Sequence, residues 1–105
     1  MTKDKTVVVF RKFKDGGDIL ALFPEIVYDP QGNCMSYQHT GQHGVASVNI
    51  MDDVTEAASP SEYADLKLEL ESLIGYDLDV RSEVTKEMNA KRATALRDYK
   101  LSGYD

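Results

Sequence analysis

The 105-residue chain lacks tryptophan and has a single cysteine, Cys34. One thiol cannot form an internal disulfide, which is typical of proteins in a reducing compartment. No apolar run approaches the roughly 18 residues of a membrane span, and the first ten residues are too weakly apolar for a signal peptide. The length suits one domain. We therefore expect a cytoplasmic protein without a membrane partner.

Recognisable catalytic motifs are also missing. The chain contains no glycine-rich phosphate loop, no nucleophile elbow and no metalloprotease helix. A reactive Cys34 would need a neighbouring cation to lower its pKa, but no Lys or Arg occurs between Asp15 and Leu66. A small core residue is the simpler interpretation of Cys34. We expect a protein that is not an enzyme and carries no cofactor, with a cryptic enzyme as an alternative.

Positive charge is scarce in the body of the chain. Both ends are basic, yet the net charge is −6 because the middle of the chain is rich in Asp and Glu. Such a chain as a whole repels nucleic acid and anionic lipid, so we expect a protein partner. The acidic body is an ordinary solvated surface, or a face that docks on a basic protein, or an imitation of the phosphate backbone of nucleic acid. The oligomeric state stays open.

The residues that are present predict an α+β fold. The segments TVVVFRKF (6–13) and DILALF (18–23) have strand composition and are joined by the turn KDGGD. Pro24 is expected to limit the second strand. CMSYQH (34–39) and VASVNIM (45–51) flank a TGQ turn as a second hairpin. Together these segments predict an antiparallel four-stranded meander.

From Ser59 onward the apolar period changes from 2 to 3.6. SPSE forms a capping box, and Gly75 stands where a helix-terminating glycine belongs. One packed helix over about residues 60–74 should bury a single apolar stripe. The stripe consists of Tyr63, Leu66, Leu70, Leu73 and Ile74. The segment YDLDVRS (76–82) alternates like a fifth strand with one wet face.

Residues 83–105 have helical propensity but a thin apolar stripe, which Arg92 interrupts. A thin stripe buries little apolar area. We therefore expect a C-terminal helix that is loosely docked, packs on a partner or frays. The chain divides into an α+β body, residues 1–82, and a C-terminal helical segment or tail, residues 83–105.

The stretch SYQHTGQHG (36–44) holds both histidines of the chain. Cys34, His39 and His43 are all possible zinc ligands. Side chains alternate along a strand, however, so Cys34 and His39 should point to opposite faces. The two histidines face each other only if the turn has three residues, and a two-residue turn would separate them. A metal site is one alternative, and a plain polar turn is another.

A turn around Gly41 does not need two histidines and two glutamines to close. We interpret Gln38, His39, Gln42 and His43 as candidate binding residues, because short polar loops on a rigid scaffold often carry function. A metal or small-molecule site at the same hairpin stays the alternative. The sequence thus predicts a small binding or regulatory module that acts through protein contacts.

Three stretches read together resemble a family of small uncharacterised bacterial proteins found in phage and other mobile-element settings. They are VVVFRKFKDGGDILALFPE (7–25), MSYQHTGQHG (35–44) and SEYADLKLELESLIGYDLDV (61–80). The likeness covers roughly residues 7–82, and the string Gln-His-x-Gly-Gln-His-Gly is its most specific part. The family offers no established activity to carry over. The resemblance implies a bacterial cytoplasm and an accessory or host-modulating role.

Overall fold

The structure is a computed structural model that describes residues 5–39 and 42–101. Within these residues the chain forms a six-stranded sheet and three helices, so the protein is of the α+β class. The elements in chain order are β1 (Thr6–Phe13), β2 (Ile19–Val27), β3 (Cys34–Gln38), β4 (Gln42–Ala46), α1 (Val48–Val54), β5 (Thr55–Ala57), α2 (Pro60–Glu69), a π-helical turn (Leu70–Ile74), β6 (Leu78–Arg81) and α3 (Lys86–Leu101). None of the described helices combines the length and apolarity that crossing a bilayer requires.

The first four strands form the predicted antiparallel meander, but the whole sheet is mixed and has six strands in the described residues. Its order is β4-β3-β2-β1, and β1 then pairs with β6 along its first half and with β5 along its second half. β6 runs parallel to β1 because α2 carries the chain back to the start of β1, where Thr6 pairs with Leu78. The strand β5 was not predicted, since its three residues are too few to show a pattern.

The segment after β4 is helical, whereas the sequence had predicted a strand through Met51. The side chain of Ser47 caps α1 by accepting a hydrogen bond from the Ile50 backbone amide at 3.4 Å. Val48 and Met51 then pack against the core of the sheet. This tertiary burial outweighs the strand preference of the β-branched residues.

One face of the sheet, which we call the α2 face, carries the larger core. Phe10 of β1 stacks on Tyr63 of α2, with ring centroids 4.3 Å apart and 11° between the ring planes. Leu66 and Leu70 join the same cluster, and Leu70 is fully buried. The capping box predicted at Ser59 is present. The start of the predicted helix is therefore confirmed.

The apolar stripe of α2 ends earlier than predicted. Leu73 and Ile74 are 78% and 44% exposed, although a 3.6-residue period placed them with Leu70. The π-helical turn is wound more loosely than an α-helix and rotates these two residues away from the core. Gly75 ends the turn in the left-handed conformation, with φ of 93°, as the sequence predicted.

The opposite face, which we call the α1 face, is covered by α1 and α3. Its buried core consists of Leu20, Leu22, Cys34 and Ala46. Burial raises the pKa of the Cys34 thiol, and the side chain is fully buried in its reduced form. The structure therefore places Cys34 as a small core residue.

α3 docks on β2 through Arg92, the residue that interrupts its apolar stripe. Arg92 Nη1 donates to the Pro24 carbonyl at 2.6 Å, and Nε donates to the Gly32 carbonyl at 2.9 Å. β2 runs past the proline with a bulge, since its register against β3 jumps between Phe23 and Val27. The prediction that Pro24 limits this strand was wrong, because the bulge accommodates the missing amide.

Two apolar side chains of α3, Met88 and Leu96, complete its docking. Met88 is buried, with 2% of its surface exposed. Gly32 has φ of 87° and lies so close to α3 that an added Cβ would approach Leu96 Cδ2 to 3.0 Å. The described part of the C-terminal segment is therefore a helix packed on the body, and residues 102–105 lie outside the described residues.

Leu70 and Leu73 form a matched pair that tests the π-helical turn. Leu70→Ala should lower the free energy of unfolding by about 2–5 kcal/mol, because it leaves a cavity in the core. Leu73→Ala should change it by less than about 0.5 kcal/mol, as expected of an exposed side chain. Urea unfolding followed by circular dichroism measures both values. Equal losses of unfolding free energy for the two variants would contradict the placement of Leu70 in the core and Leu73 at the surface.

Arg92→Ala should loosen α3 without unfolding the sheet. The change leaves the carbonyls of Pro24 and Gly32 without their donor, at a cost of about 1–3 kcal/mol. Arg97→Ala on the same helix is the control, because Arg97 is exposed. Amide hydrogen exchange along α3 should accelerate in the first variant only. If both variants exchange alike, Arg92 does not hold the helix in place.

Candidate functional site

The hairpin of β3 and β4 brings both histidines to the α2 face. Tyr37 pairs with His43 across the two strands, two positions before His39. Residues two positions apart along a strand share a face of the sheet. The His39 imidazole contacts Glu69 of α2, and the His43 imidazole contacts Tyr76, which follows the π-helical turn, so the two histidines lie on the same face.

Glu69, the last residue of α2, holds this hairpin against the helix. Its Oε1 lies 2.6 Å from His39 Nδ1, and its Oε2 accepts a hydrogen bond from the Tyr37 hydroxyl at 2.5 Å. The side chain of Glu69 is 12% exposed, whereas that of His39 is 91% exposed. A sheltered carboxylate therefore fixes one nitrogen of an imidazole whose other nitrogen faces solvent.

The second histidine is held by aromatic residues. His43 Nε2 lies 3.0 Å from the Tyr76 hydroxyl, and its ring meets Tyr37 edge-on at a centroid distance of 4.9 Å. Tyr76 reaches this position because the π-helical turn folds back, with the Tyr76 amide donating to the Leu70 carbonyl at 3.0 Å. The same turn therefore ends the helix and supplies the partner of His43.

The hydrogen bond between Tyr37 and Glu69 shifts the pKa values of both side chains. The bond from Tyr37, followed by the one from His39, lowers the pKa of the Glu69 carboxyl below its ordinary value. The same bond to Glu69 raises the pKa of the Tyr37 phenol, because a phenolate would face a carboxylate. At neutral pH Glu69 is therefore an ionised acceptor and Tyr37 a neutral donor.

A groove of about 420 Å³ lies beside His39, between the start of β2 and the exposed side of α2. Ile19 and Leu66 form its apolar part. Its remaining lining is polar and consists of Gln38, His39 and the three carboxylates Asp18, Glu62 and Asp65. We call this surface the acidic groove.

One carboxylate of the acidic groove is already paired. Lys12 Nζ lies 2.6 Å from Glu62 Oε2, and this bond, with further bonds from Ser59, lowers the pKa of Glu62 to about 2. Among residues 5–39 and 42–101, no ion pair involves Asp18 or Asp65. Two exposed carboxylates are therefore available to an incoming cation.

The candidate residues from the sequence are only partly brought together. The structure places Gln38 and His39 in the acidic groove and His43 among the tyrosines. The side chain of Gln42 lies outside the described residues, and so do residues 40–41, where the turn was predicted. Within the described residues, the hairpin contributes to the groove through Gln38 at the end of β3 and through His39, which follows it.

Sequence reasoning missed Glu69 and the groove carboxylates. Glu69 stands among many acids of the chain, and its only distinguishing signal is its position three residues after Leu66, beside the buried stripe. Asp18 and Asp65 are far apart in sequence and meet only because β2 and α2 pack together. Their proximity is a property of the tertiary structure.

Cys34 and His39, two of the possible zinc ligands, do not converge. Cys34 packs on the α1 face, and His39 contacts Glu69 on the α2 face, as strand alternation had indicated. In the part of the chain that the structure describes, no three His, Cys, Asp or Glu side chains gather where a metal ion could be held.

Comparison with protein-family models, with curated proteins and with solved structures finds no match to this chain.

Tyr37→Phe removes the hydroxyl that donates to Glu69 and should raise the pKa of that carboxyl toward its ordinary value of about 4.3. A carboxylate with a lowered pKa stabilises the fold above its unfolded pKa, and this stability is lost as the pH falls through the folded value. The parent should therefore lose more unfolding free energy than the variant as the pH falls from neutral to below the ordinary glutamate pKa of about 4.3. Carbon NMR of the carboxyl groups and urea unfolding at each pH measure the two effects.

Tyr28→Phe is the control for this titration, because Tyr28 is 44% exposed and makes no contact with Glu69 in the described structure. It should leave the Glu69 titration unchanged. A Glu69 midpoint that is the same in the parent and in Tyr37→Phe would show that the hydroxyl does not bind the carboxylate.

Proposed function

We propose that this chain is a non-enzymatic binding module that recognises a basic segment of a partner protein through the acidic groove. The observation that carries the proposal is the pairing of an apolar lining, Ile19 and Leu66, with the uncommitted carboxylates of Asp18 and Asp65. Lysine and arginine combine an apolar stem with a cationic head, so they complement both parts of such a groove.

The charge distribution of the chain supports a basic partner. Lys12 is bound to Glu62 at the groove, and no Lys or Arg occurs between Asp15 and Leu66. Charges at the edge of an interface mainly accelerate association and make it sensitive to salt. We therefore expect capture of the partner to weaken as ionic strength rises.

We assign the rim of the groove to binding rather than to catalysis. Glu69 orients the exposed imidazole of His39 in the way that a general base is oriented. None of the side chains that line the described groove is a serine, threonine, cysteine or lysine that could act as a nucleophile. His39 is assigned here as a hydrogen-bonding residue for the partner.

The cellular setting belongs to the same proposal. The resemblance of residues 7–82 to small proteins of phage and mobile elements supports a bacterial cytoplasm and an accessory, host-modulating role. The net charge of −6 supports a protein partner over nucleic acid, because phosphate backbones would be repelled.

The direct test uses a fluorescein-labelled peptide of alternating lysine and leucine. Asp18→Lys combined with Asp65→Lys should weaken its binding by about tenfold or more, because like charges then oppose each other across the interface. Asp53→Lys combined with Asp98→Lys makes the same change of net charge at exposed positions outside the groove. Fluorescence anisotropy titrations at low and high salt measure all the affinities.

Three results would overturn the proposal: equal losses in both double variants, equal binding of a glutamate–leucine peptide, or no binding by the parent.

His39→Ala provides an additional test for the hairpin. It should weaken the peptide complex while keeping the unfolding free energy within about 1 kcal/mol of the parent, as for an exposed side chain.

A further inference from the structure

A second cavity lies on the α1 face, on the opposite side of the sheet from the acidic groove. It encloses about 240 Å³ between β1, β2, α1 and the segment that leads into α3. This volume is below the roughly 300–1,000 Å³ of pockets for drug-sized ligands, so it suits a small metabolite. Its apolar lining comes from Leu22, Val48 and Val84.

Arg11 supplies the positive charge of this cavity. Its side chain is only 14% exposed, and it is held by Thr55, with Nε donating to Oγ1 and Nη2 to the carbonyl, each at 2.9 Å. Within the described residues Nη1 has no protein partner. Every buried side-chain nitrogen in the described residues has a hydrogen-bond partner. Because Nη1 has none, it must contact solvent. Arg11 lines the cavity, so a fixed guanidinium offers unused N–H groups to a ligand.

Asn89 provides a second oriented donor at the same cavity. Its Oδ1 accepts a hydrogen bond from Arg92 Nη1 at 3.0 Å. The remaining amide nitrogen of Asn89 is therefore a donor, and the residue lines the cavity. A carboxylate can accept hydrogen bonds from Arg11 and Asn89 together, and bonds to charged groups are the stronger kind.

The cavity also carries negative charge. Asp52 Oδ1 lies 3.8 Å from Arg11 Nη2, and Glu83 lines the wall beside Val84. A ligand that is only anionic would be repelled by these two carboxylates. A ligand that is only cationic would be repelled by Arg11. A small molecule with both charges satisfies the two sets of groups.

We propose that this cavity binds a free α-amino acid with a small apolar side chain. Its carboxylate pairs with Arg11 and Asn89, its ammonium group with Asp52 and Glu83, and its side chain lies among the apolar residues of the cavity. This site is separate from the acidic groove and does not depend on the function proposed there. Because the ligand would contact α1 and the start of α3, it should also stabilise the docking of α3.

The test uses L-leucine and two analogues that each lack one charge, 4-methylpentanoate and 3-methylbutylamine. In NMR titrations, L-leucine should shift the methyl signals of Leu22, Val48 and Val84 saturably, and each analogue should bind about tenfold more weakly or worse. L-leucine should also raise the melting temperature. No saturable shift with L-leucine, L-valine or L-alanine up to their solubility limits would overturn the proposal, as would equal binding of an analogue.

Variants keep the test specific to the cavity. Asn89→Asp replaces the donor with a carboxylate and should weaken the binding of L-leucine by about tenfold or more. Thr94→Asp adds the same charge at an exposed position of the same helix outside the cavity and should bind as the parent does. Arg11→Gln should abolish binding. If that variant fails to fold, the Asn89→Asp and Thr94→Asp pair decides, and equal affinities in the pair would overturn the proposal.

Discussion

The carboxylate of Glu69 is the contact on which the candidate site depends. It lies at the end of α2, largely shielded from solvent, and accepts hydrogen bonds from the β3–β4 hairpin through Tyr37 and His39. A sheltered carboxylate is costly to leave unpaired, so the hairpin and the helix are held in one arrangement. This arrangement keeps His39 at the edge of the acidic groove, which lies between the start of β2 and α2.

The other face of the sheet is organised by Arg92 in a comparable way. This one side chain contacts the carbonyls of Pro24 and Gly32 and the amide oxygen of Asn89. It thereby seats α3 on the bulge of β2 and orients a donor at the cavity that Arg11 lines. On both faces, a charged side chain that joins two elements also shapes the adjacent groove or cavity.

The sequence predicted the structural features that depend on residues close together in the chain. The capping box at Ser59 and the left-handed Gly75 were both readable, because each acts within a few residues. The exposure of Leu73 was not readable, since a π-helical turn breaks the 3.6-residue period without a sequence marker. Arg92 looked like a defect in an apolar stripe, and its role depends on a bulge in a distant strand. The hairpin histidines were found, but the carboxylates beside them come from distant segments.

The most direct test of the central claim is a crystal structure of the chain with the lysine–leucine peptide bound. Leucine side chains of the peptide should pack on Ile19 and Leu66, and its lysines should contact Asp18 and Asp65, with the bond between His39 and Glu69 retained. A peptide seated elsewhere on the acidic surface, with the groove empty, would contradict the account.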